Sequence, residues 1–206
     1  KFGLDSIVIG NMIDADMWKS GVKSRFYKNF KIEPGFCLYA GRLAIEKNPL
    51  LFVNLAQSFP KKQFVMIGSG TQKNEVEKFC NMPLPSNLIC LGPLSGSDLL
   101  DAFNASHVLY CDEPSIWGGN VVLEAMASGT IPLRAHHPLV PSDNFFFENG
   151  KTGLLYEKNS LEDCKLNLKR AWNDNDMGQR AQALAVKKLD WKVGVAKFDQ
   201  LYASLQ

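Results

Sequence analysis

Short apolar runs alternate with helical patterns along most of the chain, and several of the runs end at a glycine. Continuous apolar strands are typical of parallel strands that are covered on both faces. The repeated β-α order therefore predicts an α/β protein with a doubly wound, Rossmann-like parallel sheet. The predicted strands are residues 36–40, 63–67, 88–91, 107–111, 131–134 and 153–156, the last of them short and at an edge.

Helical periodicity fills the intervals between these strands, and one further strand-like run precedes the repeat at residues 6–9. In a doubly wound sheet, ligands bind beyond the carboxyl ends of the strands. Residues that follow a strand directly are therefore the first candidates for a site. The predicted helices are residues 21–31, 49–58, 72–80, 98–105, 121–129, 161–172, 177–189 and 191–205.

Composition excludes several classes of function. The formal net charge is +2, from 23 basic and 21 acidic residues, with no basic stripe of the kind that binds nucleic acid. The five scattered cysteines include no C-x-x-C pair. Three of them, Cys37, Cys90 and Cys111, lie in strand-like runs, where we expect them to be buried and reduced, as in a cytoplasmic protein. No apolar run reaches the length of a membrane span, and no His/Cys cluster predicts a metal.

Glu124 lies in the segment 121–129, where apolar and small residues surround this single carboxylate. A helix that opens just after residues 118–120 points its free N–H groups at the preceding loop, which favours an anion there. We place Glu124 in the first turn of that helix, where its carboxylate could accept two ribose hydroxyls. The alternative is a surface glutamate that complements the helix dipole.

Two cations follow the first core strand, Arg42 and Lys47, and they could clamp a diphosphate. A solvated loop is the alternative for this segment taken alone. The turn at residues 68–70 follows the second strand, but Lys73 occupies the third glycine position of a G-x-G-x-x-G pattern, which weakens a dehydrogenase interpretation. All these groups are expected on one rim of the sheet.

Several motifs in order resemble the carboxyl-terminal, nucleotide-sugar-binding domain of the GT-B glycosyltransferases, specifically the retaining family 4. The resemblance covers nearly the whole chain, and the order of the motifs is more specific than any one of them. The motifs are Gly10-Asn11-Met12-Ile13-Asp14, Gly41-Arg42-Leu43 with Glu46-Lys47-Asn48, Ile67-Gly68-Ser69-Gly70, Leu91-Gly92-Pro93-Leu94, Pro114-Ser115, Leu123-Glu124-Ala125-Met126-Ala127-Ser128-Gly129 and Asn149-Gly150-Lys151-Thr152-Gly153-Leu154-Leu155.

The resemblance implies a role for each matching residue. Arg42 and Lys47 would hold the donor diphosphate and stabilise the leaving group, and Glu124 would hold the ribose. The base would lie against residues 92–94, and the loop at residues 118–120 would offer N–H groups to the sugar and phosphate. No metal or other cofactor is implied. The substrate-binding residues would be Glu124, Gly41, Gly68, Gly92, Pro93, Leu94, Gly118, Gly119 and Asn120.

One position departs from the family pattern, which has two glutamates with seven residues between them. The position that corresponds to the first glutamate is Ile116, which has no carboxylate. Glu113 or Asp112 could substitute, or backbone groups together with Asn120 could contact the sugar, and we favour the latter. The departure leaves open a non-catalytic nucleotide-sugar-binding module, and a GT-B-type nucleotide-sugar epimerase is the other alternative.

The resemblance predicts a retaining glycosyltransferase domain that binds a UDP- or GDP-linked sugar for transfer to an acceptor hydroxyl. We expect residues 1–20 to be an interdomain segment or the remnant of a missing N-terminal acceptor domain. Residues 21–190 would form the donor domain, and residues 191–206 a helix that packs back toward the missing half. This fragment alone should be inactive, any membrane association would come through the missing half, and an exposed apolar rim is expected near Trp18 and the last helix.

Overall fold

The computed structural model of the protein describes residues 10–70, 84–112, 119–136, 143–144 and 147–204. The predicted strand at residues 6–9 and the predicted helix at residues 72–80 lie outside these ranges. The strands of the described part, in chain order, are β1 Cys37–Ala40, β2 Phe64–Ile67, β3 Leu88–Gly92, β4 Val108–Cys111, β5 Ile131–Ala135, β6 Asp143–Asn144, β7 Phe147–Glu148 and β8 Leu154–Tyr156.

Six of these strands form one parallel sheet in the order β3-β2-β1-β4-β5-β8. The chain moves outward from β1 to β3 and then returns to the other side of β1 with β4, so the order reverses between β1 and β4. This topology confirms the predicted doubly wound sheet, and β8 lies at an edge as expected. The pair β6–β7, which the sequence did not predict, is antiparallel and separate from the main sheet.

The helices of the described residues agree with the predicted ones to within a few residues, with two exceptions. The sequence did not predict the short helix Ala15–Lys19. The predicted helix at 177–189 ends at Leu184 and continues as a π-helical turn, Ala185–Leu189. A 3₁₀ turn, Ile45–Lys47, follows β1. The α-helices are α1 Ala15–Lys19, α2 Lys23–Phe30, α3 Pro49–Ser58, α4 Gly96–Ala105, α5 Gly119–Ser128, α6 Leu161–Asn173, α7 Met177–Leu184 and α8 Trp191–Ala203.

The sheet is buried on both faces, which explains why its strands are continuously apolar. One face packs against α1, α2, α4 and α5, with Leu38 and Leu109 directed toward them. The other face packs against α3 and α6 through residues such as Cys37 and Met66. Neighbouring residues of a strand therefore belong to different halves of the core. Cys90, which we expected to be buried, is exposed on the edge strand β3.

The first described segment is part of this core. Trp18 of α1 is only 7% exposed and packs edge-on against Phe103 of α4, with 5.0 Å between the ring centroids. Trp18 itself is therefore not part of an exposed rim, whereas its neighbour Met17 is 45% exposed. The last helix does expose apolar side chains, at Trp191, Val195, Phe198 and Tyr202. Among the described helices, none combines the length and the apolar character needed to cross a membrane.

Candidate functional site

A cavity of about 410 Å³ opens at the carboxyl ends of β1, β2 and β3. Its walls come from the residues that follow these strands and from the helices α4 and α5. This is the edge at which doubly wound sheets bind ligands. Six of its lining residues are among the predicted site residues: Gly41, Arg42, Gly68, Pro93, Leu94 and Glu124.

The glycine turns at this edge are packed against one another. The Gly41 N–H donates to the Ile67 carbonyl at 3.0 Å, and the Gly68 N–H donates to the Gly92 carbonyl at 2.9 Å. A Cβ atom on Gly68 would lie 1.8 Å from the Gly41 oxygen, so no larger residue fits there. Gly68 is thus required by the fold itself, and its position also leaves the cavity wall free of a side chain. Gly92 has a positive φ of +70° but does not line the cavity.

Glu124 lines the cavity from α5 and is half-buried. It is the sixth residue of the helix that begins at Gly119, so it lies in the second turn. Our placement of Glu124 in the first turn is therefore wrong, because the helix begins two residues earlier than the apolar run suggested. Burial raises the pKa of the Glu124 carboxyl from 4.5 to about 7. A carboxylate that is partly desolvated in a cavity gains from hydroxyl donors supplied by a ligand.

Among the described residues that line the cavity, Arg42 alone has a basic side chain. It is exposed, and its Nη2 donates to Glu46 Oε1 at 3.2 Å. This exposed pair contributes little to stability, so the guanidinium can exchange Glu46 for an anionic ligand. Lys47 ends the 3₁₀ turn and is half-buried. It belongs to the same loop as Arg42 but does not line the cavity.

The residues proposed to contact the sugar are only partly described. Gly119 and Asn120 open α5, outside the cavity lining, and Asn120 Oδ1 accepts a hydrogen bond from Asn11 at 3.3 Å. Gly118, Glu113 and Ile116 lie outside the described residues. Asp112 is 1% exposed, and its Oδ1 accepts a hydrogen bond from the Tyr156 hydroxyl at 2.8 Å. Asp112 is thus held in the core, so it does not take the place of the glutamate that the family pattern has at position 116.

The sequence predicted Pro93 and Leu94 in the apolar wall of the cavity, but not the apolar side chains that the helices contribute. Leu99 and Phe103 of α4 and Val121 of α5 contribute to it. Helical periodicity within residues 98–105 directs Leu99 and Phe103 inward, but it does not distinguish the core from a cavity beside it. An apolar surface with a few polar groups at its margin is typical of small-molecule sites. Within the described part of the chain, no group of three or more His, Cys, Asp or Glu side chains could hold a metal ion.

A family model described as "Glycosyl transferases group 1" matches residues 23–188. The chain belongs to this family. The sulfoquinovosyl transferase SQD2 of Arabidopsis thaliana is 27% identical to it over 198 residues, which is 88% of this chain and 38% of the relative. The matched range includes all the predicted site residues and the whole parallel sheet.

Several solved structures share the fold. Sucrose-phosphate synthase from Thermosynechococcus elongatus superposes with a TM-score of 0.79 at 20% identity, over 97% of this chain and 52% of that one. Anabaena Alr3699/HepE in complex with UDP-glucose superposes with a TM-score of 0.76 at 18% identity, over 94% of this chain and 56% of that one. The C-terminal domain of the Francisella tularensis group 1 protein LpcC superposes with a TM-score of 0.70 at 20% identity, over 86% of this chain and 98% of that one.

The architecture is thus that of the C-terminal domains of GT-B glycosyltransferases, a parallel six-stranded sheet with flanking helices. The chain spans 38% of the length of the Arabidopsis relative and 52% of the length of the sucrose-phosphate synthase chain. These proteins are therefore about twice as long as this chain or longer.

Proposed function

We propose that this chain is the donor-binding domain of a retaining, family 4 glycosyltransferase. It binds a nucleoside-diphosphate sugar, with UDP or GDP as the nucleotide, for transfer of a hexosyl group to an acceptor hydroxyl. A second, N-terminal domain supplies the acceptor, and residues 191–206 pack back toward it. The fragment alone is inactive, and the protein works in the cytoplasm. Membership of the glycosyl transferases group 1 family supports transferase chemistry.

One observation carries this proposal: a single cavity brings Glu124 together with Arg42 and the strand-end turns. The carboxylate suits the two neighbouring hydroxyls of a ribose, because ionised acceptors form the stronger hydrogen bonds. The guanidinium suits a diphosphate, whose oxygens match its planar fork. Pro93 and Leu94 offer an apolar wall to a base. That a structural neighbour was solved with UDP-glucose and with UDP is in keeping with such a ligand.

Catalysis in the full protein needs no chemical step from this domain beyond stabilisation of the departing diphosphate. Positive charge beside the leaving oxygens lowers the barrier, because negative charge develops there in the transition state. Arg42 supplies this charge in the cavity, and Lys47 of the same loop supplies a second positive charge. Positioning of the donor contributes the remainder.

Calorimetric titration of this chain with UDP, GDP and ADP tests the proposal. We expect UDP or GDP to bind more tightly than ADP, and we expect Glu124→Ala and Arg42→Ala each to weaken that binding about 10- to 100-fold, the loss expected for a charged hydrogen bond. Glu162→Ala, which changes an exposed residue of α6 paired with Lys165, serves as the control and should bind normally. If neither UDP nor GDP binds, the proposal is refuted.

A second candidate follows from Ile116, which stands where the family pattern has a glutamate near the transferred sugar. A domain without that carboxylate could bind a nucleotide sugar and transfer nothing. Activity of the full-length protein with UDP- and GDP-sugars separates the two candidates. Product formation supports the transferase, whereas tight donor binding without turnover supports the non-catalytic module.

A further inference from the structure

Three buried tyrosines form a row across the sheet, on the face that packs against α3 and α6. Tyr39 on β1 lies opposite Tyr110 on β4, and Tyr156 on β8 continues the row. The rings of Tyr39 and Tyr110 are stacked with centroids 6.1 Å apart, and those of Tyr110 and Tyr156 with centroids 6.0 Å apart. Each side chain is at most 3% exposed. Their hydroxyls therefore need partners within the protein.

Two of the hydroxyls hold the ends of residues 41–48, a segment that we call the basic loop. The Tyr39 hydroxyl donates to the Arg42 carbonyl at 2.6 Å. The Tyr110 hydroxyl donates to the Asn48 carbonyl at 3.1 Å. Burial raises the pKa of both phenols above its ordinary value, so both remain protonated donors at neutral pH. Tyr156 is different, because its hydroxyl donates to Asp112.

These two contacts bracket the cations of the proposed site. Arg42 is the residue whose carbonyl Tyr39 binds, and Lys47 directly precedes the residue whose carbonyl Tyr110 binds. Between them, the Leu43 N–H donates to the Ser69 carbonyl at 3.0 Å, which joins the loop to the turn after β2. Fixed backbone positions limit the space that the charges of both side chains can reach. A loop held in place loses less conformational entropy when it binds an anion.

We propose that Tyr39 and Tyr110 are positioning residues for the diphosphate contact of the basic loop. They touch no ligand themselves, and they act by fixing the backbone that carries Arg42 and Lys47. The proposal rests on the proposed function, since it assigns how the diphosphate end of the same site is held. It predicts that the two hydroxyls matter for a nucleotide and not for its nucleoside.

The test compares UDP with uridine, and GDP with guanosine as the second pair, on Tyr39→Phe and Tyr110→Phe. Phenylalanine preserves the ring stack and removes one hydrogen bond to the loop. We expect each variant to bind the nucleoside diphosphate about fivefold more weakly, the effect of one hydrogen bond, with nucleoside affinity unchanged. Tyr27→Phe is the matched control, because the half-buried Tyr27 donates to the Ala105 carbonyl at 2.9 Å, away from the loop.

A double variant shows whether Tyr39 acts through Arg42. In the Arg42→Ala background, Tyr39→Phe should no longer weaken nucleotide binding, because the charge that it positions is gone. Equal weakening of nucleotide and nucleoside would overturn the proposal, as would an unchanged nucleotide affinity or a full additional loss in the Arg42→Ala background. If the unchanged chain binds neither nucleotide, the proposed function itself fails, and this assignment fails with it.

Discussion

Replacement of Glu124 by glutamine should stabilise the protein at high pH while it weakens ligand binding. The pKa of this carboxyl rises from 4.5 to about 7 because the cavity wall desolvates it. That difference corresponds to at most about 3.5 kcal/mol, since one pKa unit is worth about 1.4 kcal/mol. Solvent at the cavity mouth screens part of it, so we expect a gain of about 1–3 kcal/mol from Glu124→Gln at pH 8.

The sign of this effect depends on pH. Below pH 4.5 the carboxyl is protonated in both the folded and the unfolded chain, and its ionisation costs the fold nothing. Between pH 4.5 and about 7 the unfolded chain ionises first, so the free energy of unfolding falls as the pH rises. Above about pH 7 the penalty is complete. Glu124→Gln removes it, and the two proteins should therefore differ most at pH 8 and least near pH 4.5.

Urea unfolding at several pH values between 5 and 8 measures this difference. The exposed Glu162→Gln serves as the control and should change the free energy of unfolding by less than about 0.5 kcal/mol. A residue whose removal stabilises the fold and impairs binding is retained for its function. If Glu124→Gln instead destabilised the protein equally at every pH, Glu124 would be a structural partner, and our reasoning about the cavity would be wrong.

Two further predictions follow from the same geometry. Nucleotide affinity should fall about tenfold from pH 8 to pH 6, because the ribose binds the ionised Glu124 carboxylate and protonation near pH 7 removes that charge. The same measurement on Glu124→Gln shows how much of the fall comes from titration of the ligand phosphate. An equal fall in that variant would contradict the role of Glu124. Gly68→Ala should lower the free energy of unfolding in urea by more than about 3 kcal/mol, since its methyl group would meet the Gly41 oxygen at 1.8 Å. The control Gly35→Ala is also at positive φ but has open space around it, so it should lower this free energy by about 1 kcal/mol. Equal losses in the two variants would contradict the packing argument.

The sheet could be predicted from the sequence because burial of both faces of a strand requires a continuous run of apolar residues. Leu38 and Tyr39 are neighbours on β1 but belong to opposite halves of the core, so both positions are apolar or aromatic. Such runs, separated by helical periods, allow few topologies. The edge position of β8 followed from its short length. The separate pair β6–β7 has only two residues per strand, too few for a period to show.

The site was predicted less completely, for reasons that are physical. Arg42 and the glycine turns directly follow strands, and local sequence marks such positions well. The start of α5 depends on backbone geometry at Gly119, which has a positive φ, and the apolar run gave no sign of it. The tyrosine row joins β1, β4 and β8, so its contacts arise from strand order and register. Single-chain patterns do not specify these.

A crystal structure of this chain with the nucleoside diphosphate that it binds most tightly tests the central claim directly. We expect both ribose hydroxyls within hydrogen-bonding distance of the Glu124 carboxylate, the diphosphate against Arg42, and the base against Pro93 and Leu94. The Tyr39 and Tyr110 hydroxyls should keep their contacts with the basic loop. A nucleotide bound elsewhere, or one in this cavity with its ribose directed away from Glu124, would contradict the account.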